Sequence, residues 1–188
     1  ANWDLDLAPI TGDSILINIG SKAISWDLAN NSFNSFTIAA GYSGIITQTS
    51  DLYISDYVQG AGTFTGDATK WVYCSGNFEK TGGTLTANKV RLNMTGVGSI
   101  RLSDTLYILT VSNHTTIISS GFSNRLNINE NSELTIPSSV YLTLSTELDY
   151  LNYGEITGAG TLKFYAWSGI VTRSIGTVNC DVTIDHYN

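Results

Sequence analysis

The chain has 188 residues, of which 42% are hydrophobic and 13% charged, with a formal net charge of −7. An ordinary soluble domain is about 25% charged, so its 44 Ser plus Thr and 16 Asn must cover much of the surface, and heptad coiled coils and disordered chains are excluded. Nine Lys and Arg without a cluster argue against nucleic acid and anionic membranes as partners, and no apolar run nears the ~18 residues of a membrane span.

In chain order, residues 1–14 carry Pro9 and read as a cap or docking segment ahead of the first clear strand. Short alternating runs then follow one another. They are Ile15–Ile19, Phe36–Ile38, Leu52–Ile54, Val90–Met94, Ile100–Leu102, Leu106–Ile108, Leu126–Ile128, Leu134–Ile136, Tyr141–Leu144, Leu162–Phe164 and Val182–Ile184. Each places apolar side chains on one side and polar ones or Tyr on the other, the period of a strand with one buried face. No stretch keeps apolar residues at helical spacing over three turns. One domain spanning 1–188 is expected, and it is all-β.

Repetition selects the architecture. Gly60-Ala-Gly-Thr-Phe64 returns as Gly158-Ala-Gly-Thr-Leu162, with weaker copies at Thr81–Leu85 and Gly96–Ile100. The second glycine of this element falls at 62, 83, 98 and 160, which fits coils of roughly 15–25 residues. A polar turn before Leu-x-Ile recurs at Thr49–Ile54, Ser103–Ile108 and Asn131–Ile136. Proline occurs only twice, as expected where strands pair on both edges. These features predict a β-solenoid, with a β-sandwich as the alternative.

The phrases Gly41-Tyr-Ser-Gly44, Tyr57–Gly66, Cys74-Ser-Gly-Asn-Phe78 and Thr81-Gly-Gly-Thr-Leu-Thr86 resemble the β-strand-repeat cell-surface proteins of bacteria and archaea. The likeness covers about residues 26–102 well and the rest loosely. It implies a right-handed parallel β-helix and an extracellular, non-enzymatic structural or adhesive role. Low charge and Tyr-rich strands are similar, in composition and repeat style, to the amyloid-like sheath proteins of methanogenic archaea.

Candidate site residues follow. Cys74 and Cys180 stand 106 residues apart, four to five coils in a straight solenoid. A disulfide needs Cα atoms within about 7 Å, so a bond between copies is expected, against free thiols or an internal bond in a fold that doubles back. Tyr53, Tyr57, Tyr73, Tyr107, Tyr141 and Tyr165 read together as an outward subunit interface or sugar-stacking face, though Tyr also has high β-propensity. Trp3, Trp26, Trp71 and Trp167 read as core or interface. The sequons at Asn30, Asn93 and Asn113 permit glycosylation, at a number that chance alone gives in so Asn-rich a chain.

Asp4, Asp6, Asp181 and Asp185 lack a calcium-loop pattern, and His114 and His186 are too few for a three-histidine zinc site. No nucleophile elbow or phosphate loop occurs. No catalytic residue, metal or cofactor is expected. The leading expectation is an extracellular structural subunit that polymerises with itself through strand edges and Tyr-bearing faces. The alternative is a monomeric adhesin or a solenoid that binds surface glycans, and a polysaccharide-degrading enzyme ranks third.

Overall fold

The structure is a computed structural model that describes residues 8–28, 31–87, 89–145, 150–166, 172–174 and 176–186. Within them lie 22 strands and no helix. Every strand pairing is parallel, with partners 17 to 24 residues apart, such as Arg91 with Ile108, Ser14 with Ser35 and Asn127 with Leu151. This is a parallel β-solenoid of about eight coils. The alternative sandwich falls, because its sheets would be antiparallel.

Each coil has three faces. In one coil the first face is Trp71–Cys74, the second Phe78–Lys80 and the third Thr84–Leu85. On the first face Ser32, Tyr53, Tyr73, Asn93, Thr110 and Asn127 stand in register, one per coil. On the second, Ile15, Phe36, Tyr57, Phe78, Ile100 and Ile117 do the same. The third face comes in two pieces. Ile24–Trp26, Ile45–Gln48, Thr63–Thr65 and Thr84–Leu85 form a separate four-stranded sheet. Beyond it, residues 121–123, Tyr141–Ser145, Thr161–Ala166 and Asp181–His186 stack in turn.

The corners explain the repeated glycines. Gly62 and Gly83 both turn the chain from the second face to the third at positive φ, 62° and 68°. A Cβ on Gly62 would lie 2.6 Å from Tyr42 Cδ1, so the position needs glycine for both conformation and space. Gly160 turns the same corner further on, whereas Gly98 opens a second-face strand. The irregular interval at 98 therefore arises from a different corner, not a coil of odd length.

Corners also shift strand parity. In Leu52–Gln59 the alternation is broken by the half-buried pair Ser55 and Asp56, where the strand bends from the first face onto the second. Parity flips there. Tyr57 therefore points inward with 0% exposure and Val58 points out. The expectation that Tyr57 belongs to an outward face is corrected: it stacks on Phe36 at 5.9 Å and on Phe78 at 4.4 Å inside the core.

Candidate functional site

An aromatic strip runs down the first face. Tyr53 and Tyr73 stack at 4.6 Å and 4°, and Trp71 lies beside Tyr73 at 6.3 Å. The Arg91 guanidinium sits 5.2 Å from the Trp71 ring centre and 5.7 Å from that of Tyr107. The order follows from register, since Tyr53 pairs with Tyr73 and Trp71 with Arg91 on successive coils. Asp51 anchors the strip by accepting the Trp71 N–H at 2.8 Å. Partial burial pushes the Tyr73 phenol up, and the charge of Asp51 adds to that. Rings stacked coil on coil spend their faces on each other and show their edges to solvent. Sugar rings stack on faces, so this ladder braces the solenoid better than it would hold a saccharide. Tyr141 and Tyr165 lie apart from it, exposed on the third face, with Lys163 Nζ 4.0 Å over the Tyr141 ring.

Carboxylates gather on the second face, where His114, Glu133, Glu155 and Thr177 stand one above another. Glu133 accepts hydrogen bonds from the Thr157 hydroxyl at 2.6 Å and the Thr135 hydroxyl at 3.2 Å, and His114 Nε2 lies 3.6 Å away. The Thr157 bond is the main reason the Glu133 carboxyl is held below its usual value. Glu155 accepts from the Asn179 amide at 2.8 Å. Acid–base hydrolysis by paired carboxylates needs one that keeps its proton. Glu133 is pushed toward the ionised form, which suits the base or nucleophile of such a pair and not its acid. Among the described residues no group of three or more His, Cys, Asp and Glu is placed to hold a metal ion.

The cysteines are free thiols. Cys74 belongs to the inward column Ile54, Cys74, Met94, Val111, Ile128, Asn152. Cys180 follows Ser174, which is five coils on from Cys74. At about 4.8 Å per coil that is roughly 24 Å, too far for a bond within the chain. The expected bond between copies is corrected as well. Cys74 is fully buried, its thiol donates to the Ser55 carbonyl, and burial pushes its pKa up to about 12. A neighbouring chain cannot reach that sulfur without opening the coil.

Of the sequons, Asn93 stands half-buried in the first-face ladder and accepts from Ser112 Oγ at 2.8 Å, whereas Asn113 sits at a bend and accepts the His114 N–H. Trp26 is core. Asn30, Trp3, Trp167, Asp4 and Asp6, and the side chains of Asp185 and His186, lie outside the described part, as do residues 1–7 of the segment read as a cap.

Two features escaped the sequence reading. One is a buried ion pair: Lys80 Nζ lies 3.2 Å from Asp104 Oδ2, with side-chain exposures of 3% and 25%. Asp104 Oδ2 also accepts the Leu85 N–H at 2.6 Å, at the edge where the four-stranded sheet stops. A charged residue at the inward parity of Phe78–Lys80 was the available signal.

The other is the state of the outermost coils. Leu142, Leu162 and Val182 form one inward column, and Leu144, Phe164 and Ile184 the next. The four inner members are buried, yet Val182 is 50% and Ile184 53% exposed. Among the described residues no strand stacks on these columns beyond Val182 and Ile184. At the opposite end, Ser14–Gly20 pairs only with Ser32–Tyr42 among the described residues. It carries no charge and exposes Leu16 and Ile19.

No protein-family model, curated protein or solved structure matches the chain.

Proposed function

We propose that the chain is an extracellular structural protein whose copies join end to end, the outer edge of Asp181–His186 and its coil meeting the Ser14–Gly20 coil of the next copy. The observation that carries this is the half-exposed pair Val182 and Ile184, at the end of two otherwise buried columns on which no described residue stacks further. A parallel edge accepts another parallel strand, and the apolar columns gain a further rung. Burying these two half-exposed side chains contributes roughly 1 kcal/mol each, beside the new ladder hydrogen bonds. The receiving coil has the composition for pairing: Ser14–Gly20 on its second face has four Ile or Leu in seven residues, and neither it nor Ile24–Trp26 on its third face, opposite Asp181–His186, carries a charge or proline to block the edge. The two edges differ, so the contact is heterologous and extends rather than closing in a pair. The role is mechanical and asks for no catalytic group. The resemblance to β-strand-repeat surface proteins points the same way and supplies the extracellular setting.

Sedimentation velocity over a hundredfold range of concentration tests the contact. The chain is expected to associate as concentration rises, and Ile184→Lys to stay monomeric with unchanged circular dichroism. A chain that sediments as a monomer throughout overturns the proposal.

A further inference from the structure

We propose that the outward side of the four-stranded third-face sheet binds ice. Its strands are Ile24–Trp26, Ile45–Gln48, Thr63–Thr65 and Thr84–Leu85, and none carries a charged residue although the chain's net charge is −7. The outward positions form two columns. Ile45, Thr63 and Thr84 stand in register in one. Ser25, Thr47 and Thr65 stand in the other, which Thr86 continues through its N–H to the Phe64 carbonyl and a hydroxyl contact with Thr65 at 2.9 Å. The hydroxyls of Thr47, Thr63 and Thr84 have no hydrogen-bond partner among the described residues. The inward neighbours Ile46, Phe64 and Leu85 are buried and hold the sheet from behind.

The spacing of this array is what selects the ligand. Successive coils set the residues of a column about 4.8 Å apart, and alternate residues along a strand lie about 6.7 Å apart. On this frame Thr47, Thr63 and Thr84 keep their hydroxyls free among the described residues, whereas Thr65 and Thr86 turn theirs onto each other. In a tetrahedral network with O···O near 2.75 Å, second neighbours lie about 4.5 Å apart and the layer repeat is about 7.3 Å. Each mismatch is below about 10%. Over three rungs the axial error sums to about 0.6 Å, close to ordinary thermal displacement. Threonine suits the task because its branched Cβ stiffens χ1. The hydroxyl can then replace a lattice water while the adjoining methyl keeps neighbouring water in a cage. A surface without charge matches a crystal face without charge. Across the Asp104 joint the array ends, and Phe122, Tyr141 and Lys163 occupy the same face.

The inference is independent of end-to-end joining. It is tested by partition of the purified chain into slowly growing ice, beside inhibition of ice recrystallisation. The chain is expected to enter ice at least tenfold above a charged globular control. Thr63→Lys and Thr47→Tyr, both on the outward side, should each lose that enrichment with unchanged melting temperature. Tyr165→Lys, on the far part of the third face, should keep it. Exclusion of the chain from ice overturns the proposal. So does enrichment that survives both threonine replacements, or binding to crystalline cellulose or chitin without binding to ice.

Discussion

From Trp26 to Phe78 the core contains the rings of Trp26, Phe33, Phe36, Tyr42, Tyr57, Phe64 and Phe78; from Leu92 to Leu144 its buried hydrophobics are Leu, Ile, Val and Met. The coil lengths differ in the same place. On the first and second faces the early register steps are 20 to 22 residues, as from Leu52 to Val72 and Phe78 to Ile100. The steps from Arg91 to Ile108 and from Ile108 to Arg125 are 17. Three to five fewer residues shorten the perimeter by about 10–16 Å. A narrower section has room for Leu and Ile but not for stacked rings. Short coils thus exclude stacked rings, but length alone does not bring them in: the steps from His114, Gly121, Asn127 and Glu133 are 19 to 24 residues, and the core there is still Leu and Ile. Where the two sizes meet, the third-face ladder loses a rung, and Asp104 supplies the acceptor that Leu85 would otherwise lack, with Lys80 balancing its charge.

The largest effect is expected at that joint. Asp104→Ala leaves Lys80 buried without a counter-ion and the Leu85 N–H without an acceptor. The expected loss is about 3 kcal/mol, the lower end for a broken buried pair because Asp104 is partly exposed. Urea unfolding monitored by circular dichroism measures it, and a loss under about 1 kcal/mol would remove the joint from the account.

A reciprocal exchange sharpens the comparison of cores. Phe36→Leu opens a gap in the wide half, at about 1–2 kcal/mol. Leu92→Phe overfills the narrow half at a similar cost. If Leu92→Phe proves neutral, coil length does not limit the size of the core residues.

Just past the change of gauge, Ile100, Leu102, Leu106, Leu109, Ile117 and Phe122 help line a void of about 10 Å³ beside Gly121. A Cβ on Gly121 would lie 3.6 Å from the Leu102 carbonyl oxygen, an ordinary contact. Gly121→Ala should therefore raise stability by about 0.5 kcal/mol, read as about 1–2 °C in thermal melting. A fall in melting temperature would show that the void does not extend to that position.

The smallest effect concerns pH. The Glu133 carboxyl is held below its ordinary value of 4.5, chiefly by Thr157. The folded chain binds that proton less tightly than the unfolded chain does. Its contribution is therefore complete above pH 4.5 and is lost as pH falls through the lowered folded value. Thr157→Val should flatten the acid limb of a stability–pH curve and leave the neutral limb parallel. An unchanged acid limb would place the proton uptake elsewhere.

The solenoid was legible because each strand carries its own alternation, and because Gly62, Gly83 and Gly160 turn the same corner. Coils of 15–25 residues followed from those spacings. Tyr57 was misassigned because alternation counts residues and does not see a bend; the flip at Ser55 and Asp56 occurs inside one continuous strand. The aromatic strip was half legible. Tyr53, Tyr73 and Tyr107 were singled out, but Arg91 between Trp71 and Tyr107 depends on register across coils. The cysteine pair failed on burial: spacing excluded a bond within the chain, and the local signal that Cys74 faces inward, its shared parity with Val72 in Trp71–Cys74, was not weighed. The threonine columns escaped for a related reason. Thr47, Thr63 and Thr84 look like ordinary surface residues until three coils are laid one on another.

The central claim is that copies continue one another's coils, and electron microscopy of the unmodified chain at high concentration tests it most directly. Eight coils at about 4.8 Å give a subunit rise near 38 Å, so the account predicts filaments with an axial repeat of roughly 40 Å and a strong 4.8 Å layer line along the filament. Dispersed single rods, or filaments whose strands lie parallel to the long axis, would contradict it.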